Sequence, residues 1–382
     1  MPGKRSVLIY SEYWSSRGGG EKYLLCIAET LQHSNYDVTL VAQAASFDRD
    51  AVSRYFQVNI DAATVHLVDG DLNAFRREAE RMSSEFDICI YLTNYRFFNS
   101  RARQTFVVLQ IPYGRISARS ILAKILIREP RETAKDFFRL QLLKRLRQTQ
   151  AVLVYSRFVH DSLSAIHNVP STILEPPIDD FAIEGTTKER VILSVGRIFR
   201  GLYNNKRYDI LVEAFKKLCG KLPNTTWQYW IVGSCTNDKA SHRYLEELRE
   251  SAQGFPIYFH VNSPYEELKR QYNEATLFWH AAGFGVDERK HPERAEHFGM
   301  STLEAMSARC VPVAINRGGQ KEIVSHGESG YLWYTVDELV EHSIRLIADE
   351  PLLATMQLKA RERFKAFDRE HFSNKLLSIL EV

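Results

Sequence analysis

The apolar run Ser6-Val7-Leu8-Ile9-Tyr10 and the three glycines beyond it, Gly18-Gly19-Gly20, decide the fold. Apolar residues then recur at the spacing of one helical face from Tyr23 to Leu31, and a second apolar run extends from Val38 to Ala42. A strand, a glycine-containing loop, a helix and a strand in this order form a βαβ unit, whose two strands are parallel. The opening of the chain therefore predicts an α/β protein with a glycine loop after its first strand.

The same alternation continues outward along the chain in two series of strand-like runs. The first has runs at 65–68, 88–91, 107–110, 152–155 and 172–174, and the second at 191–195, 227–232, 257–261, 276–280, 311–315 and 331–334. Between them, Pro176 and Pro177 disfavour a helix or a central strand and indicate a linker. We predict two doubly wound, Rossmann-like parallel-sheet domains over residues 1–180 and 187–350, which face each other across a cleft. A helical tail over 351–382 is expected to pack back toward the first domain.

Bulk properties exclude several classes of protein. A length of 382 residues suits two domains, and 45% hydrophobic with 25% charged residues is ordinary for a globular protein. A net charge of +3 gives no global support for binding nucleic acid. Five cysteines without a CxxC pair, and the absence of any apolar run near 18 residues, favour a cytoplasmic protein with at most peripheral contact at the inner face of a membrane.

The stretch from Arg115 to Arg147 is strongly basic and carries apolar residues at helical spacing, with Pro130 dividing it. One interpretation is a pair of amphipathic helices whose basic faces are solvated. The other is a surface that meets anionic lipid or an acceptor bearing a diphosphate. The sequence leaves both open.

Three segments that follow predicted strands are candidates for ligand binding, because ligands of open α/β sheets bind beyond the carboxyl ends of strands. The first is Gly18-Gly19-Gly20, where the lack of side chains lets the backbone approach a phosphate or a sugar. It is not a GxGxxG fingerprint, and the 38–42 run leads into Gln43 rather than an acidic residue, so an NAD enzyme is poorly supported. A flexible turn is the structural alternative.

The second segment is Val195-Gly196-Arg197 with Lys206 nine residues on. Two fixed cations at a strand end suit a diphosphate and can stabilise the charge that develops as a nucleoside diphosphate leaves. Arginine and lysine are also common on protein surfaces, and that interpretation stands beside the functional one.

The third segment runs from Glu296 to Glu304, with a helix predicted to begin near Ser301 or Thr302. Residues 301–304 also fit the S-x-x-E capping box, which is the structural alternative. Carboxylates would repel a diphosphate, so the two glutamates are expected to bind neutral hydroxyls, one on the ribose and one on the transferred sugar.

Together with Gly318-Gly319…Glu322 and the linker, these segments resemble in order and spacing the motifs of the family-4 retaining glycosyltransferases (glycosyl transferases group 1). The Glu296-His297-Phe298-Gly299 version resembles the subgroup that includes mannosyltransferases of lipid-linked oligosaccharide assembly. The resemblance implies the GT-B fold, with an N-terminal acceptor-binding and a C-terminal nucleotide-sugar-binding domain. It also implies transfer of a hexose, from a UDP-sugar or GDP-mannose, to a hydroxyl of a glycan or lipid-linked acceptor. No cofactor, no metal and no nucleic acid are expected.

By resemblance, Arg197 and Lys206 bind the diphosphate, Glu296 binds the donor sugar, and these three form the catalytic set. Glu304 is assigned to the ribose hydroxyls, and the predicted substrate-binding residues are Gly18, Gly19, Gly20, Gln110, His280, His297, Phe298, Gly299, Met300, Ser301 and Glu304. Many family members have a histidine where this chain has Gln110, which leaves only hydrogen bonding at that position.

Other classes of protein remain as alternatives. A metal-dependent GT-A enzyme needs a DxD sequence, and Asp69-Gly70-Asp71 and Asp48-Arg49-Asp50 both match it. A nucleotide-sugar epimerase of the GT-B fold, or a catalytically silent subunit that only binds sugar-nucleotide, would share the motifs. The histidines show no HExxH or similarly close ligand spacing, so a zinc enzyme lacks support.

Overall fold

A computed structural model of the protein describes residues 4–14, 18–45, 47–117, 121–122, 130–147, 149, 151–200 and 205–381. The chain divides into two compact units, one of Met1–Pro177 with Arg369–Val382 and one of Ile178–Asp368. Residues 118–120 and 123–129 of the basic stretch lie outside the described ranges, and so does most of the first helix that was predicted there.

The described part of the first unit contains a seven-stranded parallel sheet. Its strands are β1 (Arg5–Ser11), β2 (Tyr36–Gln43), β3 (Thr64–Val68), β4 (Ile88–Leu92), β5 (Gln104–Leu109), β6 (Ala151–Val154) and β7 (Thr172–Ile173). They are arranged in the order β3-β2-β1-β4-β5-β6-β7. The helices between them are α1 (Gly19–Gln32), α2 (Arg49–Phe56), α3 (Leu72–Met82), α4 (Pro130–Leu146) and α5 (Arg157–His167), with a 3₁₀ turn over Ser83–Glu85.

The second unit repeats this architecture with six described parallel strands. They are β8 (Val191–Val195), β9 (Gln228–Gly233), β10 (Ile257–Val261), β11 (Leu277–His280), β12 (Val311–Ile315) and β13 (Tyr331–Trp333), in the order β10-β9-β8-β11-β12-β13. Its helices are α6 (Tyr208–Lys221), α7 (Lys239–Ser251), α8 (Tyr265–Glu274), α9 (Met300–Ser307), α10 (Gln320–Ile323), α11 (Val336–Ala348) and α12 (Glu350–Phe364), with 3₁₀ turns over Pro292–Arg294 and Lys365–Phe367.

The last helix, α13 (Arg369–Leu380), belongs to the first unit. The Phe372 ring meets that of Tyr23 edge to face at 5.5 Å, and the Ser373 hydroxyl is hydrogen-bonded to that of Thr30 at 2.9 Å. The helical tail predicted over 351–382 is therefore split between the two units: α12 is part of the second unit, and α13 is part of the first.

Two strands of these parallel sheets are buried along their whole length. Every residue of β4 and of β12 is buried, as expected when helices cover both faces of a sheet. The predicted strand series is confirmed in both units, with boundaries shifted by a few residues. Within the described ranges, no helix combines the length and the hydropathy that crossing a bilayer requires.

Candidate active site

The strand order of the second unit reverses between β8 and β11, which both lie at the centre of its sheet. Gly196 follows β8 directly, and His280 is the last residue of β11. Ligands of doubly wound sheets bind in the crevice beyond the carboxyl ends of the strands at such a switch point. The predicted residues near 196, 280 and 296 are therefore expected around this point.

Three predicted site residues meet here around one carboxylate oxygen. Lys206 Nζ donates a hydrogen bond to Glu296 Oε2 at 2.5 Å, and His280 Nε2 lies 3.0 Å from the same oxygen. The side chains are 16%, 12% and 2% exposed for Lys206, Glu296 and His280, so the cluster is shielded without being sealed. It is an ammonium–carboxylate pair supported by an imidazole.

The environment fixes the protonation state of this cluster. Burial alone would raise the pKa of Glu296, but the Lys206 ammonium and the His280 hydrogen bond outweigh it and hold that pKa well below its usual range. Burial lowers the pKa of His280, which favours a neutral ring. An ionised carboxylate only accepts hydrogen bonds, so Nε2 of His280 carries the proton. The Nδ1 atom is then an acceptor, and it is buried without a hydrogen-bond partner in the described part of the chain.

Two glycines let Lys206 reach this position. Gly196 has φ +156°, and a Cβ added to it would lie 2.8 Å from Lys206 Cε. A Cβ on Gly233, the last residue of β9, would collide with the Gly196 carbonyl oxygen. The Tyr208 hydroxyl at the start of α6 donates to that same oxygen at 2.9 Å. The aliphatic stem of Lys206 therefore packs against Gly196, at a point where neither Gly196 nor Gly233 has room for a side chain.

The Gly318-Gly319 pair of the family motif supports the Glu296 loop. Gly319 N–H donates to the Glu296 carbonyl oxygen at 2.8 Å. A Cβ on Gly318, which has φ +55°, would collide with the Glu296 carbonyl oxygen, and one on Gly319 would lie 2.6 Å from Phe298 Cα. The two glycines thus let the loop after β12 pack directly on the backbone of residues 296–298.

Glu304 does not close the capping box that its sequence context offered. Helix α9 begins at Met300 with Gly299 (φ +120°) as its N-cap, so Ser301 lies inside the helix and is not the capping residue. The Glu304 carboxylate accepts a hydrogen bond at 2.7 Å from the hydroxyl of Tyr272 on α8. The capping-box interpretation is therefore wrong, and the helix begins one or two residues earlier than the sequence predicts.

The remaining predicted residues of this unit have other surroundings. Arg197 is exposed, and its guanidinium lies 5.2 Å from the Phe199 ring centroid. His297 is buried with Nε2 3.3 Å from the Glu293 carbonyl oxygen, and burial lowers its pKa. Phe298 is buried and packs edge to face on another ring at 5.8 Å. The structure thus gives His297 and Phe298 packing contacts, while Arg197 faces solvent.

In the first unit, Gly20 and Gln110 come together at the carboxyl edge of the sheet. A Cβ on Gly20 would lie 2.8 Å from Gln110 Nε2, which donates to the Tyr155 hydroxyl at 2.7 Å. Asn94 Nδ2 donates to Gln110 Oε1 at 3.2 Å. The loop prediction needs correction here, because Gly19 and Gly20 form the first turn of α1 and Gly18 is its N-cap.

One aspartate of each DxD match is a helix N-cap. The Asp48 carboxylate accepts from Ala51 N–H at 3.0 Å at the start of α2, and Asp71 accepts from Ala74 N–H at 2.7 Å at the start of α3. Asp48 and Asp71 therefore have structural roles, which weakens the GT-A alternative. Within the described ranges, no group of three or more His, Cys, Asp or Glu residues is placed to hold a metal ion.

The fold and the site define a doubly wound α/β protein with a charged, shielded cluster at the switch point of its second unit. Residues 178–363 match the family model of glycosyl transferases group 1, a range that covers nearly all of that unit. This match and the mannosyltransferase relatives confirm the resemblance to the family that the sequence motifs indicated.

Sequence relatives agree with this assignment. The chain is 29% identical over 201 residues to the GDP-Man:Man(3)GlcNAc(2)-PP-Dol alpha-1,2-mannosyltransferase of Dictyostelium discoideum, covering 51% of this chain and 37% of that protein. It is 27% identical over 222 residues to the human alpha-1,3/1,6-mannosyltransferase ALG2, covering 54% and 48%. The chain thus spans less than half the length of these two curated relatives.

Solved structures extend the comparison to the whole chain. Anabaena Alr3699/HepE, solved in complex with UDP and glucose, superposes with a TM-score of 0.67 over 99% of both chains at 16% identity. The sucrose-phosphate synthase of Thermosynechococcus elongatus gives 0.67 over 99% of this chain and 98% of that chain, also at 16% identity. At such identities the likeness shows the fold alone. The predicted GT-B fold class is confirmed.

Proposed function

We propose that the protein transfers a hexose from a nucleotide-sugar, with a UDP-sugar or GDP-mannose as donor, to a hydroxyl of a glycan or lipid-linked acceptor. The observation that carries this proposal is the Lys206–Glu296–His280 cluster at the switch point of a unit that matches the family model of glycosyl transferases group 1. The mannosyltransferase relatives and the UDP-bound structural neighbour support the choice of donor.

The cluster offers the groups that such a donor needs. Glu296 stays ionised and can accept hydrogen bonds from sugar hydroxyls, while Lys206 can bind the negatively charged diphosphate. Exposed Arg197 adds a second cation for the diphosphate. The N–H groups of Gly299, Met300 and Ser301 at the start of α9 are assigned to further donor contacts.

The proposed reaction retains the anomeric configuration and uses no metal. The acceptor oxygen attacks the anomeric carbon on the face from which the nucleotide leaves, and the bond between that carbon and the diphosphate oxygen breaks. The acceptor's proton goes to the departing diphosphate, whose charge the two cations stabilise. Gly18, Gly19, Gly20 and Gln110 of the first unit are assigned to substrate binding on that unit.

The proposal is tested by incubating the protein with GDP-mannose and with UDP-sugars, each with and without a lipid-linked oligosaccharide acceptor. We expect release of nucleoside diphosphate that depends on the acceptor, and a product with the same anomeric configuration as the donor. We also expect the rate to be unchanged when a metal chelator is added. Conversion of donor alone into an epimeric nucleotide-sugar would support the epimerase alternative. Binding of donor without any turnover would support the silent-subunit alternative.

We further propose that helix α4 contacts an anionic membrane surface. Phe137, Phe138 and Leu140 are 59%, 38% and 38% exposed, so three large apolar side chains reach the surface within about one helical turn. Among the side chains of this helix from residue 133 onward, Lys135, Lys144 and Arg145 are exposed cations. Aromatic rings beside cations suit the interface of an anionic bilayer.

Charge complementarity favours a lipid surface as the partner of this helix. Between Thr133 and Arg147 the sequence has one acidic residue, Asp136, and it is buried with its carboxylate 2.7 Å from Arg139 Nη1. The exposed charges of that segment are therefore all positive. This supports the membrane interpretation over a merely solvated basic face, and it fits a lipid-linked acceptor.

A further inference from the structure

Helix α8 carries a buried tyrosine whose hydroxyl lies against a proposed donor-binding residue on the neighbouring helix. The Tyr272 hydroxyl donates to Glu304 Oε2 at 2.7 Å. The Tyr272 side chain has no exposed surface, whereas Glu304 on α9 is partly exposed. This hydrogen bond links the interior of the unit to a carboxylate at its surface.

Packing holds the tyrosine in one orientation. Its ring meets the Phe181 ring edge to face at 5.1 Å and lies 6.3 Å from the Phe278 ring on β11. Its carbonyl oxygen accepts a hydrogen bond at 3.2 Å from the ammonium of Lys188, which also donates to the Ala275 and Ala308 carbonyl oxygens. Ring and backbone are both fixed, so the hydroxyl has little freedom to move.

The Tyr272 hydroxyl also stays protonated and can therefore always donate its hydrogen bond. Burial, followed by the nearby Glu304 charge, raises the pKa of Tyr272 well above its ordinary value, so the phenol keeps its proton at any physiological pH. A hydrogen bond from a neutral phenol to a carboxylate has a defined direction, with tyrosine as donor.

We propose that Tyr272 is a positioning residue for nucleotide recognition, which sets the orientation of the Glu304 carboxylate toward the ribose hydroxyls of the donor. This inference rests on the proposed function, because that function supplies the ribose. Anchoring one carboxylate oxygen from the core fixes the Glu304 rotamer before the ligand arrives. Ligand binding then needs no ordering of this side chain, which is an advantage that unanchored surface glutamates lack.

A conservative substitution isolates the hydroxyl. Tyr272→Phe keeps the ring and its aromatic contacts and leaves Glu304 partly hydrated, so the fold is expected to persist. Tyr229→Phe is a matched control in the same unit, because Tyr229 is equally buried and its hydroxyl donates to Ser194 Oγ at 3.0 Å, another core contact. Both variants lose one buried tyrosine hydroxyl, but only the first loses contact with Glu304.

The decisive readout is preference for ribose, measured by calorimetric titration of wild type and both variants with GDP, UDP and their 2′-deoxy and 3′-deoxy analogues. We expect wild type to bind the ribonucleotides more tightly than the deoxy analogues. In Tyr272→Phe this affinity ratio should be about tenfold smaller, and in Tyr229→Phe it should be unchanged. Steady-state assays of Tyr272→Phe should show a raised donor KM with kcat nearly unchanged. Thermal unfolding confirms that each variant is folded.

The outcomes separate this inference from the proposed function. Wild type that binds neither GDP nor UDP would overturn the proposed function and this inference with it. Wild type that prefers the ribonucleotide, with an unchanged preference in Tyr272→Phe, would overturn the positioning role alone. An equal loss in Tyr229→Phe would show a general effect of weakening the core and would also overturn it.

Discussion

Lys206 and Glu296 form a 2.5 Å ion pair although they lie 90 residues apart in the chain. The pair exists because glycine at position 196 leaves room for the lysine stem and glycine at position 318 leaves room for the Glu296 backbone. The charged cluster thus depends on backbone features as much as on the charged residues themselves. That dependence yields predictions that do not require mutation of a charged group.

Gly196→Ala is expected to weaken binding of nucleoside diphosphate and to destabilise the protein by about 1–3 kcal/mol, because the new methyl would displace Lys206 and strain the backbone. Gly254→Ala is the matched control, since Gly254 also has a positive φ of +81° but no atom lies within 4 Å of its added Cβ. The control should lose stability without losing affinity. Titration with GDP and UDP, combined with thermal unfolding, separates the two effects, and equal affinity losses would contradict the account.

The Lys206–Glu296 pair should leave a signature in stability against pH. The folded-state pKa of Glu296 lies below its ordinary value of 4.5, so the carboxylate stabilises the fold fully above that pH. This contribution is lost as pH falls through the folded-state pKa. Urea unfolding of wild type and Glu296→Gln should therefore differ most above pH 4.5, and the difference should shrink at lower pH. A difference that stays constant with pH would show that Glu296 is not held ionised.

Membrane contact through α4 predicts that the protein sediments with vesicles of mixed phosphatidylserine and phosphatidylcholine but not with phosphatidylcholine alone. Binding should weaken as salt shortens the Debye length, and Lys144→Ala should lose about fivefold in affinity. The double substitution Phe137→Ser and Phe138→Ser should weaken binding further. Tyr55→Ser removes a ring that is 50% exposed elsewhere in the same unit and should have no effect. Equal binding to both kinds of vesicle would rule out the anionic surface.

The two sheets could be predicted from the sequence because a parallel strand that is buried on both faces is a continuous run of apolar residues. The runs 88–91 and 311–315 are continuous and apolar, and both are strands buried at every residue. The Glu296 and Lys206 predictions came from motif resemblance, and the structure adds that the two side chains touch. The family match for residues 178–363 covers both of these positions, and their roles remain predictions.

Contacts between side chains on different helices have no comparable pattern in the sequence. Nothing near Tyr272 in the sequence indicates that its hydroxyl meets Glu304, because that contact depends on how α8 and α9 pack. The requirement for glycine at position 233 also has no signal in the sequence, because it comes from the carbonyl oxygen of Gly196, directly after the neighbouring strand β8. The caps at Asp48 and Asp71 were a missed local signal, because an aspartate before a helical run is a common N-cap.

The most direct test of the central claim is the rate of acceptor-dependent sugar transfer in Glu296→Gln, which keeps the size of the side chain and removes its charge. The surface variant Glu341→Gln, whose side chain is 65% exposed, serves as the control. We predict that kcat/KM falls by about a hundredfold in Glu296→Gln and is unchanged in the control, with both proteins folded. Transfer by Glu296→Gln at the wild-type rate would contradict the assignment of this cluster as the active site.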